Sequence, residues 1–428
     1  MKKIVLLVCF YAFSLIFISC GKEPGVLADF DSSSSTLLYS GMEVKQCDKF
    51  EYTRSLITNK NRKYESMFGG WGPHLRPLFR SSKNELWFPV DAGPSVSSNI
   101  ATDFYKQKDS SWNWVANKFQ FMGLQQNAAF LMKDNTIYSY GISVSQHFLS
   151  ECAFNTDTKT YGCKAIHPVD NSSNYIGASI SPNGTKMVWW TVAGKNGGSG
   201  FFVYTYNKNG NWSFPVVANL GIYNDVSYIH GDFIDDNNFV FNAQLWQGAY
   251  PEGEPAAILG HVVLGQLPQF TILKNKEENK ATSSSDVWVD KKTGNIHALS
   301  KTPKGVSYYF SPTKELIKYN FLPKYFFSSS VMARFIYDES KDTLYLVRSE
   351  DSDIYIHKVE RSKLGKIVDW VKFTPQKLPL PPGISSVSAF YIEGQMYQDT
   401  PPLGINFAIT GQYPSKDNEL WSYEVCWP

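Results

Sequence analysis

A short apolar run, a polar turn and a second apolar run recur along most of the chain. The unit appears as Leu78-Phe79-Arg80, then Ser81 to Glu85, then Leu86-Trp87-Phe88. It returns as Ala129-Phe130-Leu131, Lys133-Asp134-Asn135 and Ile137-Tyr138. It returns again as Ser179-Ile180-Ser181 with Met187 to Trp190, as Asp232-Phe233-Ile234 with Phe239-Val240-Phe241, and as Val287-Trp288-Val289 with Ile296-His297-Ala298. Arg334-Phe335-Ile336 with Leu344-Tyr345-Leu346, and finally Ala389-Phe390-Tyr391, complete the series. The central residues Phe79, Phe130, Ile180, Phe233, Trp288, Phe335 and Phe390 follow one another at steps of roughly fifty residues, the range of solenoid and propeller repeats.

Most units hold two further strand-like stretches. In the third, Phe201 to Tyr206 is followed by the turn Asn207-Lys208-Asn209-Gly210 and by Trp212 to Val217; in the sixth, Ile354 to His357 is followed by Ile367 to Val371. Alternating side chains give each stretch two usable faces. Four strands per unit is one propeller blade, so seven units predict an all-β, seven-bladed β-propeller of four-stranded antiparallel blades. The last unit lacks a strand. After Phe390 it offers Ile405 to Ile409 and Leu420 to Val425, and the N-terminal stretch Lys49 to Leu56 is predicted to supply the outer strand and close the ring. Closure by both chain ends removes the loose edge of the last blade.

The first residues do not share this pattern. Met1-Lys2-Lys3 precedes an apolar run from Ile4 to Ile18, which ends in Ser19-Cys20. A positive start, a short apolar core and a small residue before the cut are the parts of an export signal, and the run is shorter than the roughly twenty residues a membrane-spanning helix needs. Phe17-Ile18-Ser19-Cys20 resembles the lipobox of bacterial lipoproteins, with Phe17 at a place usually held by Leu. The resemblance implies a signal over residues 1–19, lipidation and acylation at Cys20, and a partner in the membrane through that anchor. An ordinary cleaved signal with an incidental cysteine is the alternative. The polar stretch from Gly21 through Asp31-Ser32-Ser33-Ser34-Ser35-Thr36 predicts a flexible tether over residues 20–45, with the propeller over 46–428. Because Gly21 is not aspartate, the resemblance favours the outer membrane over the inner.

Composition narrows function by exclusion. The formal net charge of the 428-residue chain is +2, and Lys2 and Lys3 both leave with the signal, so the body is neutral. A neutral body has no broad field for nucleic acid, and no nucleic-acid partner is expected. With Cys9 in the signal and Cys20 as the lipid site, Cys47, Cys152, Cys163 and Cys426 remain, an even set suited to disulfides in an oxidising compartment. Cys152 and Cys163 flank the turn-like Thr156-Asp157-Thr158-Lys159-Thr160, so a hairpin would place their sulfurs on neighbouring strands. Cys47 and Cys426 then pair by elimination. Free thiols or zinc ligands are the alternative, and the spacings do not match a zinc site.

Ile180-Ser181-Pro182-Asn183-Gly184-Thr185-Lys186-Met187-Val188-Trp189 resembles the blade signature of TolB-type propellers, with Asn183 in place of an aspartate. The resemblance covers one unit of seven and implies fold rather than activity. Sialidase-type Asp-boxes and WD-repeat signatures are absent from the sequence.

Candidate ligand residues lie in two stretches at the propeller face where ligands usually meet such folds. Trp246, Tyr250, Glu252 and Glu254 share one segment, where aromatic faces suit sugars or apolar ligands and acids can orient hydroxyls. Trp71, His74 and Arg76 share a glycine-rich entry to the first unit, where arginine supplies a planar donor fork for an anion. In both, the alternative is packing or plain solvation. Asp232 and Arg334 stand one residue before their unit's central residue, where other units carry Leu78, Ala129, Ser179, Val287 and Ala389. Such charges are expected to be buried, partnered and too far apart to meet each other. Glu350, Asp351 and Asp353 form an acidic turn, solvated or weakly calcium-binding.

No catalytic motif, phosphate loop or zinc-helix pair is found, and no cofactor or metal is expected. Two readings follow. The first is an extracytoplasmic binding or scaffold module for a protein or glycan. The second is a glycan-active hydrolase or lyase; a hydrolase would carry paired carboxylates at the propeller opening.

Overall fold

The computed structural model describes residues 46–428 except 58–77, 93–98, 109–110, 123–128, 144–147, 169–172, 182–183, 194–199, 206–210, 214–215, 219–225, 246–256, 265–268, 275–282, 303–304, 312–324, 329, 365–367, 394–402 and 412–418. The described residues form an all-β, propeller-like architecture without α-helix. Strand β1 (Glu51–Leu56) comes first and is used last. Sheet one is β2 (Phe79–Arg80), β3 (Leu86–Ala92), β4 (Asn99–Lys108) and β5 (Ser111–Met122). Sheet two is β6 (Ala129–Lys133), β7 (Thr136–Ser143), β8 (Phe148–Asn155) and β9 (Tyr161–Pro168). Sheet three is β10 (Ser173–Ile180), β11 (Lys186–Ala193), β12 (Gly200–Thr205) and β13 (Val216–Ala218). Sheet four is β14 (Val226–Asp235), β15 (Asn238–Leu245), β16 (Ala257–Val263) and β17 (Gln269–Lys274). Sheet five is β18 (Ser283–Val289), β19 (Ile296–Thr302), β20 (Gly305–Ser311) and β21 (Tyr325–Ser328). Sheet six is β22 (Ser330–Asp338), β23 (Thr343–Glu350), β24 (Asp353–Glu360) and β25 (Gln376–Pro379). In sheet seven, β26 (Val387–Ile392), β27 (Ile405–Gly411) and β28 (Leu420–Cys426) are completed by β1, which pairs antiparallel with β28 from Glu51↔Cys426 to Leu56↔Trp421.

The repeat's central residue is core wherever its side chain is described. Phe79, Ile180, Phe233, Trp288, Phe335 and Phe390 are buried, and Phe130 lies in β6 with its side chain outside the described set. Small residues make room for aromatic ones in sheet four. A Cβ on Gly231 would lie 2.1 Å from the Phe239 ring, and one on Gly260 would lie 2.2 Å from the Phe241 ring.

The turn from first to second strand explains the second half of the pattern. Its opening residue is a short polar side chain that accepts a backbone N–H across the corner, as such residues do in turns. Ser81 Oγ accepts from Glu85 N at 3.3 Å and Ser181 Oγ from Lys186 N at 3.0 Å. Asp235 accepts from Asn237 N at 2.7 Å, Asp290 from Lys292 N at 3.1 Å and Asp338 from Ser340 N at 3.0 Å. These corners share one end of the molecule, the turn end. The connections from second to third strand, and from one sheet to the next, leave from the other, the loop end.

Neighbouring sheets are tied at the turn end. Ser82 Oγ donates to Asn135 Oδ1 at 2.7 Å between sheets one and two, and Lys186 donates to Asn237 between three and four. Lys291 Nζ reaches Asp232 Oδ1 at 2.8 Å between four and five, and Arg361 bonds Asp290 between five and six. Lys341 Nζ donates to the Trp427 carbonyl at 2.5 Å between six and seven. Sheets two and three meet where Trp212 Nε1 donates to Glu151 Oε2 at 3.2 Å. The last sheet also meets the first. Arg80 Nε donates to the fully buried Glu393 at 2.9 Å, Trp112 Nε1 donates to Ser422 Oγ at 2.7 Å, and Leu78 bridges to Glu393.

Two disulfides are present. Cys152 and Cys163 are directly opposed across β8 and β9, and Cys47 joins Cys426. Both pairings are those expected from the hairpin and from elimination.

One strand expectation is corrected. The stretch expected as the fourth strand of the sixth unit is Ile367 to Val371; Ile367 lies outside the described residues, Trp370–Lys372 is a 3₁₀ turn, and the fourth strand is β25, which follows it. Val368 and Trp370 alternate because both fill the core between sheets five and six, and a one-sided apolar turn imitates strand periodicity over so short a span. In the third unit the pairing expected from Trp212 onward begins there, with Trp212 in a β-bridge and Ser213 N donating to the Thr205 carbonyl at 2.8 Å. Residues 214–215 lie outside the described residues, β13 follows from Val216, and the buried Trp212 packs edge-on to Tyr140 at 6.2 Å.

Candidate functional site

Trp71, His74 and Arg76 lie in the stretch 58–77, and Trp246, Tyr250, Glu252 and Glu254 in 246–256; like Cys20, all are outside the described residues. The strands fix where those connections begin and end. The first joins β1 to β2 and is the longest sheet-to-sheet connection; the second joins β15 to β16 and is the longest between second and third strands. Both leave from the loop end.

The described part of the loop end is clearest on sheet six. β23 and β24 close there on the turn that holds Asp351, whose positive φ of 49° suits this tight two-residue corner. Arg348 and Tyr355 face each other across the strands, with the guanidinium 4.6 Å from the Tyr355 ring centre and 5.4 Å from that of Phe327. The Arg348 fork is occupied: Nη1 bonds Glu350 and Nε donates to His357 Nε2 at 3.1 Å. His357 Nε2 therefore accepts, and its proton sits on Nδ1, which faces the Phe373 carbonyl at 3.2 Å. Burial, reinforced by the Arg348 charge, pushes His357 down to about 4. Asp353 pairs with Lys377 at 2.7 Å. Arg348 and Lys377 thus pair two of the turn's three carboxylates, Glu350 and Asp353, and among the described residues no three acids, histidines or cysteines gather as a metal site. Of this group Asp351 and Lys377 are exposed and Glu350 and Asp353 half-buried, while Arg348 and His357 are locked into the sheet-five contact.

Asp232 and Arg334 are buried and partnered, and they do not meet. Asp232 accepts from Val289 N at 3.0 Å and from Lys291 Nζ at 2.8 Å, which pins the inner strand of sheet four to that of sheet five. Arg334 pairs with Asp286 at 3.3 Å and donates to the Phe390 carbonyl at 3.3 Å, while Asp286 also accepts from Phe335 N at 2.7 Å. These charges bind neighbouring inner strands together.

Sequence reading missed Asp286 as the partner of Arg334. It also missed the group Asp290, Arg361, Tyr337 and Asp342 at the turn end, in which Arg361 bonds the buried Asp290 and donates to Tyr337 Oη at 3.1 Å. Alignment on the central residue could not reveal Asp286. The inner strands of sheets three to seven each carry a register shift before that residue, between Ser284 and Asp286 in sheet five, and a bulge re-aims the side chains beside it.

No protein-family model matches the chain, and no curated protein matches its sequence. Solved structures do match in fold. A polysaccharide lyase superimposes with a TM-score of 0.50 at 12% identity, covering 87% of this chain and 94% of its own. A second polysaccharide lyase, an ulvan lyase solved with a bound saccharide, gives a TM-score of 0.50 at 11% identity over 86% of this chain and 94% of its own. At identities this low, the superpositions show a shared all-β, propeller-like fold and no more.

Proposed function

We propose that this chain is a lipid-anchored extracytoplasmic protein whose seven sheets are the blades of a closed β-propeller, and that its loop end binds polysaccharide. Residues 1–19 serve as the export signal, 20–45 as the tether from Cys20, and 46–428 as the propeller, with the outer membrane as its site. The pairing of β1 with β28 and the contacts of sheet seven with sheet one support closure of the ring.

One observation carries the binding role. The two stretches rich in aromatic and charged residues, 58–77 and 246–256, are the longest connections of their kind and leave from the same end of the sheets. In a ring of seven, sheets one and four stand across the axis from each other, so these stretches would flank its opening from opposite sides. Function on such folds resides in the loops. The loop acids and aromatics suit hydroxyl-rich, flat-faced ligands, and polysaccharide is the class named for both fold neighbours above.

A secreted full chain carrying Cys20→Ser, passed over immobilised acidic and neutral polysaccharides, is expected to be retained by at least one without shortening it. Retention by none refutes the binding reading. New reducing ends, or the ultraviolet absorbance of an unsaturated product, would identify the chain as a glycan-active enzyme instead.

A further inference from the structure

Among the described residues, four large hydrophobic side chains are exposed: Tyr52 at 38%, Trp114 at 47%, Tyr161 at 54% and Val216 at 37%. Their placement is not scattered. Each stands on the outermost strand of its sheet, in β1, β5, β9 and β13, so they mark sheets seven, one, two and three in succession. Each also lies in the opening residues of that strand. Outer strands start at the turn end, as the pairs Glu51↔Cys426, Lys108↔Ser111, Phe154↔Tyr161 and Val203↔Val216 show. The four side chains therefore follow one continuous arc of the outer rim, on the end opposite the loops. Of the other outer strands, β25 in sheet six carries no such exposed side chain, and the side chains of β17, and those of β21 apart from Phe327, lie outside the described residues.

The chain from Cys20 arrives at this same arc. The described residues begin at Gln46, and Cys47 is held to Cys426 at the turn end of sheet seven, just before Tyr52. We infer that the arc of Tyr52, Trp114, Tyr161 and Val216 rests on the bilayer surface to which the lipid tethers the protein. Tryptophan and tyrosine have an apolar body and a polar tip and concentrate at the headgroup level of membranes. Separate side chains spread along a convex rim suit a broad deformable surface, whereas a protein partner would need a contiguous patch. Individually weak contacts suffice, because the tether keeps the rim at high local concentration beside the lipid. The consequence is orientation: the turn end of sheets seven to three faces the membrane and the loop end points away.

The inference rests on the lipid-anchor reading, and the test separates the two. Full-length protein is recovered in phosphatidylethanolamine–phosphatidylglycerol vesicles, with Cys20→Ser as the anchor control. Nitroxide labels are placed by Trp114→Cys, Tyr161→Cys and, at the loop end, Asp351→Cys, with intact mass confirming that both disulfides are kept. The expected result is vesicle recovery that requires Cys20, with labels at 114 and 161 at least threefold more accessible to dissolved oxygen relative to a water-soluble nickel complex than the label at 351. Equal ratios at the three sites with Cys20-dependent recovery overturn the docking arc and leave the anchor standing. Recovery that ignores Cys20 overturns both.

Discussion

At the scale of single residues, buried polar groups act as fasteners between sheets, and two buried histidines tie stability to pH. His297 is fully buried with Nδ1 against Tyr308 Oη at 2.9 Å, and burial pushes it down to about 3; His357 is pushed down to about 4. Unfolded, both would titrate near 6.5. Their folded values are depressed, so the unfolded chain binds more protons below pH 6.5. The stability they contribute is complete above pH 6.5 and drains away as pH falls through 4 and towards 3. The melting temperature is therefore expected to drop across that window, and His357→Gln, which stays neutral and can still accept from Arg348, is expected to flatten the upper part. A profile of unchanged slope in that variant would show that His357 protonation is not the cause. No spacing rule exposes such a histidine: in the sequence His297 and His357 are alternate residues of two strands, and only the neighbouring sheet decides that they are sealed.

At the scale of elements, the polar corner and the apolar run were legible because each is dictated locally. Ser81, Ser181 and Asp290 close their own turns, and Phe79, Ile180 and Trp288 fill their own core layer. The Cys152–Cys163 bridge was legible for the same reason, since one hairpin sets its register. Elements whose form depends on a neighbour were not. Trp370 sits in a 3₁₀ turn because it packs edge-on to Tyr308 from the next sheet, at 5.6 Å. The two disulfides differ in reach, and this can be measured. Cys152 and Cys163 are 11 residues apart, Cys47 and Cys426 are 379 apart. In the chain-entropy view, the short loop contributes about 3 kcal/mol and the long one about 6 kcal/mol as an upper figure. Replacing both Cys47 and Cys426 by Ser is expected to lower the denaturation midpoint more than replacing Cys152 and Cys163. The reverse order would mean that β1 stays in sheet seven without its bridge.

At the scale of the whole molecule, the start of the N-terminal strand and the long connections occupy opposite ends of the sheets. The chain enters at the outer strand of sheet seven, and that strand joins the last sheet to the chain's beginning. The two long connections leave from the opposite end. The sequence carried the repeat, the N-terminal strand and the bridges. It did not carry ligand identity, because the loops are the part of such a fold least constrained by packing.

The central claim is that the loop end is the binding end, and a calorimetric titration tests it most directly. The polysaccharide retained in the screen is titrated into the Cys20→Ser chain, into that chain with Trp246→Ala and Tyr250→Ala, and into that chain with Lys83→Ala at the turn end. The account predicts that the aromatic pair weakens binding by about tenfold or more, roughly 1.4 kcal/mol, while the Lys83 variant binds as the parent does. Unchanged affinity in the Trp246 and Tyr250 variant, or an equal loss in the Lys83 variant, would contradict it.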